Sequence, residues 1–157
     1  MPREISSILY ASDLGPQSPA VLQQALTWAQ RFQAKVHVVT VTLPWNPLPY
    51  EEFISSHELG EIQHAAHRNA ETLLRQQIDE FDRDHPEFGI RQLLGSVTVL
   101  EGEPWRKILE QAMHVLADVI VMGSRSHSAL GEFWLGSVAH RVTMKSDIPV
   151  LLVPTEH

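Results

Sequence analysis

The chain has 157 residues, 43% of them hydrophobic and 20% charged, which is the composition of an ordinary globular protein with one domain over 1–157. Its formal net charge of −7 argues against a nucleic-acid backbone as a partner, because phosphate binding normally requires a basic surface. The absence of cysteine excludes disulfides and thiolate metal ligands. No run approaches the roughly 18 apolar residues that span a bilayer, so we expect a cytoplasmic protein without membrane insertion.

The first third of the chain alternates a strand pattern with a helix pattern. The apolar run 5–12 predicts a buried strand that ends at the turn-forming residues 13–16. A helix follows, with Ser18 as the predicted N-cap and Pro19 in its first turn. Its apolar stripe consists of Leu22, Ala25, Leu26, Ala29 and Phe32. The β-branched run 36–41 is typical of a parallel strand that is covered on both faces.

The middle of the chain begins with a proline-rich segment. Residues 44–54 contain three prolines, which predicts a loop and a candidate lid. A long helix is predicted over 56–84, and its inward residues are expected to be Leu59, Ile62, Ala66, Leu73, Ile78 and Phe81. A third strand is predicted over 93–100, and Gly95 within it indicates a β-bulge.

The last third of the chain repeats the alternation. Pro104 is predicted to open a helix with the inner face Trp105, Ile108, Leu109, Ala112 and Leu116. The run 118–123 predicts a strand, and a polar loop leads from it to a helix with Leu135, Val138, Ala139 and Val142 on one face. The final strand, 148–153, carries Pro149 near its start, which indicates a position at the edge of the sheet.

This βαβαβαβαβ order predicts the α/β class, with an open parallel sheet and helices on both faces. In such sheets, ligands bind outside the carboxyl ends of the strands, where the strand order reverses. Asp13, Val41 and Gly123 follow or end the predicted strands at that edge. We therefore expect a binding site near these three residues.

The loop 123–131 (GSRSHSALG) consists mainly of small residues between a buried strand and a helix. Backbone amides in such a loop, together with a helix N-terminus, can hold a phosphate. The loop matches neither the P-loop nor the dinucleotide fingerprint, and an ordinary α/β connection also needs turn residues there. Phosphate binding and a simple turn both remain open from local composition.

The motif Met122-Gly123-Ser124-Arg125-Ser126, followed after nine residues by Gly136-Ser137-Val138, resembles the nucleotide-binding signature of the universal stress protein family. That signature is Gly, two residues, Gly, nine residues, and Gly before Ser or Thr. The segments 10–13 (YASD), 102–104 (GEP) and 148–153 (IPVLLV) also resemble family segments in the same order. Ser126 stands where the signature has its second glycine.

The resemblance implies a Rossmann-like five-stranded sheet in the order 3-2-1-4-5 and a site for ATP, or AMP or ADP, with Mg²⁺. It places Asp13, Val41, Met122 and Gly123 around the adenosine, and Ser126, Gly136, Ser137 and Val138 around the ribose and phosphates. Ala11 belongs to the same candidate site, and Asp13 is the candidate Mg²⁺ ligand. Family members without the signature bind no ATP and act as dimeric stress factors.

Each candidate residue also has a simpler interpretation. Asp13 can accept from a ribose hydroxyl or hold a divalent cation, but it also suits a turn. Gly136 permits close backbone approach to a ligand or to another helix, and Ser137 can donate to a phosphate or be an ordinary helical serine. Arg125 can neutralise phosphate charge or be a solvated loop residue.

The expected function is that of a homodimeric, nucleotide-responsive stress regulator, and the alternative is a nucleotide-free dimeric scaffold that binds a partner protein. Pairing of the apolar edge strand, Val150 to Val153, with its twin would form the dimer. The sequence identifies no general base or nucleophile, so no enzyme is predicted, although slow ATP hydrolysis remains open. His57, His64 and His67 are expected on a solvated helix face rather than in a metal site.

Overall fold

The computed structural model describes residues 4–43, 55–124 and 136–155. Its centre is a parallel five-stranded sheet in the order β3-β2-β1-β4-β5. The strands are β1 (Ser7–Ser12), β2 (Lys35–Thr42), β3 (Leu94–Glu101), β4 (Val119–Gly123) and β5 (Val150–Val153). The predicted fold class and strand order are confirmed, and β5 lies at an edge of the sheet as Pro149 indicated.

The helices connect successive strands and cover the two faces of the sheet. They are α1 (Ser18–Phe32), α2 (Ser56–Asp84), the single turn α3 (Ile90–Leu93), α4 (Pro104–His114) and α5 (Ser137–Lys145). A 3₁₀ turn, Pro86–Phe88, and α3 link α2 to β3 and were not predicted from the sequence. Among the described helices, none is both long enough and apolar enough to cross a bilayer.

Alternation along the strands separates two apolar cores. Ile8 and Tyr10 point to the side covered by α1 and α2, whereas Leu9 and Ala11 point to the side covered by α4 and α5. All six residues of β1 are buried, because the strand is central and has helices on both sides. The sheet therefore holds the carboxyl ends of β1, β2 and β4 rigidly in one row.

The structure corrects two predictions for α1, its N-cap and the burial of Phe32. Gln17 is the N-cap and makes no side-chain capping bond, while Ser18 is the first helical residue. The hydroxyl of Ser18 is therefore available for a different contact, described below. Phe32, expected in the apolar stripe, is 47% exposed at the end of the helix.

The buried face of α2 also differs from the prediction. Ala70, Leu74, Ile78 and Phe81 are buried, whereas Ile62, Ala66 and Leu73 are exposed and Leu59 is intermediate. Successive helical residues are about 100° apart, so the burial of Leu74 turns Leu73 towards solvent. The predicted bounds of the helix are confirmed, and a capping box between Ser55 and Glu58 explains its start.

Two further local predictions have opposite outcomes. The bulge at Gly95 is confirmed, because the pairing of β2 with β3 shifts register between Val36 and Val38, opposite residues 94–97. Leu116 was expected inside the core, but it has a φ of 53° and is exposed. Its left-handed conformation ends α4 and directs its side chain outwards.

Candidate functional site

A cavity of about 520 Å³ lies at the carboxyl edge of the sheet, where the strand order reverses between β1 and β4. The ends of β1, β2 and β4 and the starts of α1, α4 and α5 line it. Eight predicted site residues line this cavity, namely Ala11, Asp13, Val41, Met122, Gly123, Gly136, Ser137 and Val138. The predicted Arg125 and Ser126, and the candidate lid 44–54, lie outside the described residues.

A network of hydroxyl groups supports the end of β1 beneath the cavity. Thr40 Oγ1 on β2 donates to the carbonyl oxygen of Ser12 at 2.8 Å, and Ser12 Oγ accepts from the amide of Leu14 at 3.0 Å. These bonds satisfy buried polar groups at the point where β1 turns into the loop. They hold the loop that carries Asp13.

The carboxylate of Asp13 is oriented by two donors on the same oxygen. Ser18 Oγ and the amide of Gly15 each donate to Asp13 Oδ1 at 2.9 Å. The carboxylate itself is exposed at the cavity. Among the described residues that line the cavity, Asp13 is the one with a charged side chain. A polar ligand or a cation would therefore meet a carboxylate whose direction is already set.

Tyr10 fixes the first turn of α1 from below. Its hydroxyl donates to the carbonyl oxygen of Ser18 at 3.0 Å, and burial raises the pKa of Tyr10 to about 12. The phenol is therefore neutral at ordinary pH and serves as a hydrogen-bond donor. Sequence reasoning missed the supporting roles of Tyr10, Ser12, Ser18 and Thr40. The available signal was that Ser12 and Thr40 carry hydroxyl groups near the ends of two adjacent strands.

The opposite wall of the cavity is the N-terminus of α5. Gly136 is its buried N-cap, and the amide of His140 makes the first intrahelical bond, to the Gly136 carbonyl at 2.8 Å. The amides of Ser137, Val138 and Ala139 precede that bond, so helix geometry gives them no acceptor within α5. All three residues line the cavity, and the helix dipole adds partial positive charge there. This wall has the chemistry of an anion site.

Gly136 itself has φ −56° and ψ 145°, a conformation that any residue can adopt. Backbone strain therefore does not explain a glycine at this position. The missing side chain instead leaves the first turn of α5 open to close approach from the cavity.

The remaining wall is apolar. Val41 and Met122 lie at the ends of β2 and β4, and Val21, Ile108 and Val138 approach from three helices. Such a surface can pack against a flat aromatic ring, while the backbone groups at the strand ends can hydrogen-bond to its edge. The described lining of the cavity therefore has an apolar part, a part formed by backbone amides, and the carboxylate of Asp13.

The histidines of α2 lie away from this cavity. His57 Nε2 is 3.2 Å from Glu61 Oε1, and both side chains are well exposed. In the part of the chain that the structure describes, no three His, Asp or Glu side chains are grouped as metal ligands.

A doubly wound parallel sheet with a ligand-sized cavity at its switch point defines a Rossmann-like α/β protein. Within that class, the sequence profile of the Universal stress protein family matches residues 4–154, and the chain belongs to this family. A universal stress protein of Methanocaldococcus jannaschii is 31% identical over 93% of this chain and 80% of its own length. Stress response protein NhaX of Bacillus subtilis is 44% identical, over 40% of this chain and 38% of its own length.

Solved structures share the fold at low identity. Universal stress protein UspA from Lactobacillus plantarum has a TM-score of 0.73 at 20% identity, covering 96% of this chain and 99% of its own. A universal stress protein in complex with cAMP has a TM-score of 0.63 at 20% identity, and the match covers 98% of this chain and 100% of the other. A universal stress protein from Archaeoglobus fulgidus in complex with dAMP has a TM-score of 0.60 at 21% identity, and the match covers 96% of this chain and 98% of the other.

Proposed function

We propose that this protein binds ATP, with AMP or ADP as related ligands, and acts in the cytoplasm as a homodimeric, nucleotide-responsive stress regulator. The observation that carries this proposal is the cavity at the switch point. It combines the first-turn amides of α5, the apolar residues Val41 and Met122, and the oriented carboxylate of Asp13. These are complementary to phosphate, adenine and ribose or Mg²⁺ respectively.

The proposed pose follows from the two ends of the cavity. Adenine packs on Val41 and Met122, near Ala11 and Gly123, and the phosphates reach the amides of Ser137 and Val138. Gly136 leaves room for that approach. Arg125 and Ser126 complete the proposed binding set, because the chain segment between Gly123 and Gly136 contains both residues.

Magnesium fits this arrangement as a companion of the nucleotide. Mg²⁺ prefers oxygen ligands and commonly takes one or two carboxylates together with phosphate oxygens. Asp13 is the charged group among the described lining residues, so it is the proposed carboxylate. The cation would offset repulsion between that carboxylate and a triphosphate.

Two relatives of the same fold support the ligand class, since one is a complex with cAMP and another a complex with dAMP. Both ligands contain adenine and a phosphate.

The regulatory part of the proposal rests on a chain of backbone hydrogen bonds from the cavity to the sheet edge. The amide of Gly136 donates to the Ser124 carbonyl at 3.0 Å, and the amide of Ser124 donates to the Val153 carbonyl at 3.1 Å.

That relay connects the proposed phosphate end of the cavity with β5, which is the proposed dimer strand. A ligand that binds the first-turn amides of α5 would therefore also stabilise the position of β5 through these hydrogen bonds. Binding and dimerisation would be coupled in both directions, as linkage requires.

Titration calorimetry with ATP and MgCl₂, alongside thermal unfolding, tests the proposal. We expect saturable heat and, at about 100 times Kd, a stabilisation near 2.7 kcal/mol. No heat and no thermal shift at millimolar ATP would contradict nucleotide binding and favour the nucleotide-free scaffold. Multiple turnovers of ATP that disappear in Asp13→Ala would instead identify an enzyme.

A further inference from the structure

An indole ring near the start of α4 is surrounded by three cations. The guanidinium carbons of Arg106 and Arg141 lie 5.2 and 6.0 Å from the centre of the Trp105 ring, and Lys145 Nζ lies 5.4 Å from it. Two of the cations come from α5 although the ring is on α4. We call these four residues the Trp105 face.

One carboxylate organises this face. Trp105 Nε1 donates to Glu103 Oε1 at 2.6 Å, and Arg141 NH1 lies 3.3 Å from the same oxygen. Arg106 NH2 lies 3.8 Å from Glu103 Oε2. The indole and both guanidinium groups are thereby held in position, which lowers the entropy lost when a ligand contacts them.

The charge of this face is opposite to that of the whole chain. Three cations against one carboxylate leave two positive charges, in a protein whose net charge is −7. Lys145 forms no ion pair with any residue in the described ranges. The side chains of Arg106 and Arg141 are 61% and 56% exposed, so a ligand can reach both guanidinium groups.

We propose that the Trp105 face docks an acidic segment of a partner protein. Carboxylates pair with guanidinium groups in a bidentate geometry, and Lys145 supplies a third cation beside the two guanidinium groups. Charge complementarity selects this occupant, because the three cations of the face outnumber its one carboxylate and a short acidic segment can contact them without extending far beyond the face. A long polyphosphate such as a nucleic acid would extend beyond the face over a protein whose net charge is −7, which disfavours it.

The face is separate from the nucleotide cavity. None of its four residues lines the cavity, although α4 and α5 both begin there. This docking surface therefore does not depend on the proposed function, and each can fail without the other.

Fluorescence anisotropy with a fluorescein-labelled peptide of four glutamates tests the proposal on the full chain. We expect binding at about 50 mM salt that weakens steeply as salt is added, because the Debye length shortens. The variant Arg106→Gln/Arg141→Gln/Lys145→Gln should weaken binding about tenfold. The matched control Arg68→Gln/Arg75→Gln/Arg83→Gln removes the same charge from α2 and should change affinity less than about twofold.

The site of contact is read by NMR from the indole N–H signal of Trp105, which is assigned by comparison with Trp105→Phe. The peptide should change the chemical shift of this signal, and the chemical shift of the Gly136 amide should stay unchanged. Lys145→Gln alone, which breaks no described ion pair, keeps the test valid if the triple variant does not fold, and should weaken binding about threefold.

Several results would overturn the proposal. The first is that the peptide does not bind at low salt. The second is that the two triple variants lose the same affinity for the peptide. The third is that the peptide shifts the NMR signal of the Gly136 amide and not that of the Trp105 indole. Tighter binding of a labelled ten-nucleotide thymidine strand than of the glutamate peptide would make nucleic acid, rather than a protein segment, the ligand of this face.

Discussion

Ser18 Oγ donates a hydrogen bond of 2.9 Å to Asp13 Oδ1 and so joins the first turn of α1 to the end of β1. The amide of Gly15 donates to the same oxygen. A residue expected to cap a helix thus orients the carboxylate at the candidate site. The direction of that carboxylate is set by the fold before any ligand arrives.

Ser18→Ala removes one of these two donors. We expect the free energy of unfolding to fall by about 1 kcal/mol and the Kd for ATP with Mg²⁺ to rise about threefold to tenfold. Urea unfolding and calorimetry measure the two effects. Thr27→Ala is the matched control, because its hydroxyl bonds to the Gln23 carbonyl on the exposed side of the same helix. If the ATP affinity of Ser18→Ala is unchanged, the hydrogen bond from Ser18 to Asp13 does not contribute to ATP binding.

Gly136→Val tests the position of the phosphates. Its backbone conformation suits valine, so we expect the fold to persist while the side chain blocks the first-turn amides of α5. Calorimetry should detect no ATP binding, and circular dichroism should be unchanged. Gly60→Val is the control, since no neighbouring atom lies within 4 Å of a Cβ built at Gly60. Full affinity in Gly136→Val would show that the phosphates lie elsewhere.

Gly95→Ala tests the bulge in β3. A Cβ at Gly95 would stand 2.3 Å from His37 Cε1, so the imidazole must move and lose its 2.8 Å hydrogen bond with Ser96 Oγ. We expect a loss of about 1–2 kcal/mol in urea unfolding. The same substitution at Gly60 should raise stability by up to about 1 kcal/mol, because alanine favours the helix. If Gly95→Ala lowers the free energy of unfolding by the same amount in a His37→Ala background, the contact with His37 is not the cause of the destabilisation.

His37 also makes stability depend on pH. Partial burial lowers the pKa of His37 below its ordinary value of 6.5, so the unfolded chain takes up this proton at a higher pH than the folded chain does. Its contribution to stability is complete above pH 6.5 and is lost as the pH falls through the folded pKa. His37→Asn should flatten that decline in urea titrations between about pH 7 and pH 5. His114→Asn, at an exposed site, controls for the loss of an imidazole.

The sheet and the location of the candidate cavity were predictable because each depends on local patterns. Alternating strand and helix patterns require a parallel sheet, Pro104 marks the start of α4, and Pro149 marks an edge. The carboxyl-edge rule then identified Asp13 and Val41 as cavity residues, and the structure places both there. The hydroxyl network was not predictable, because the bond between Thr40 and Ser12 depends on how β1 and β2 are aligned.

The errors in the predicted core have a common physical origin. The predicted inward stripe of α2 includes Leu73, and the choice between Leu73 and Leu74 depends on how the helix docks on the sheet, which helical periodicity does not determine. Leu116 was misplaced because α4 ends without a glycine signal. The amides of Leu116 and Ala117 bond back to the carbonyls of Met113 and Ala112, and this motif requires a left-handed residue that is usually glycine.

The proposed dimer depends on the outer edge of β5, which pairs with no other strand in the described part of the chain. The carbonyls of Pro149 and Val153 accept from β4 and its continuation, so by the alternation of a parallel ladder the amide of Leu152 points away from β4. Leu152→Pro removes that outward donor and retains the bonds to β4. We expect the dimer to become a monomer in light scattering coupled to size exclusion, with the helical circular dichroism retained.

Leu151→Pro is the contrasting variant for the same strand, because the amide of Leu151 faces β4. It should lower the free energy of unfolding by about 3 kcal/mol or more, whether or not the protein is dimeric. A Leu152→Pro protein that stays folded and dimeric would place the dimer interface on another surface. Loss of ATP affinity together with the dimer would instead support the coupling through Ser124 between the cavity and β5.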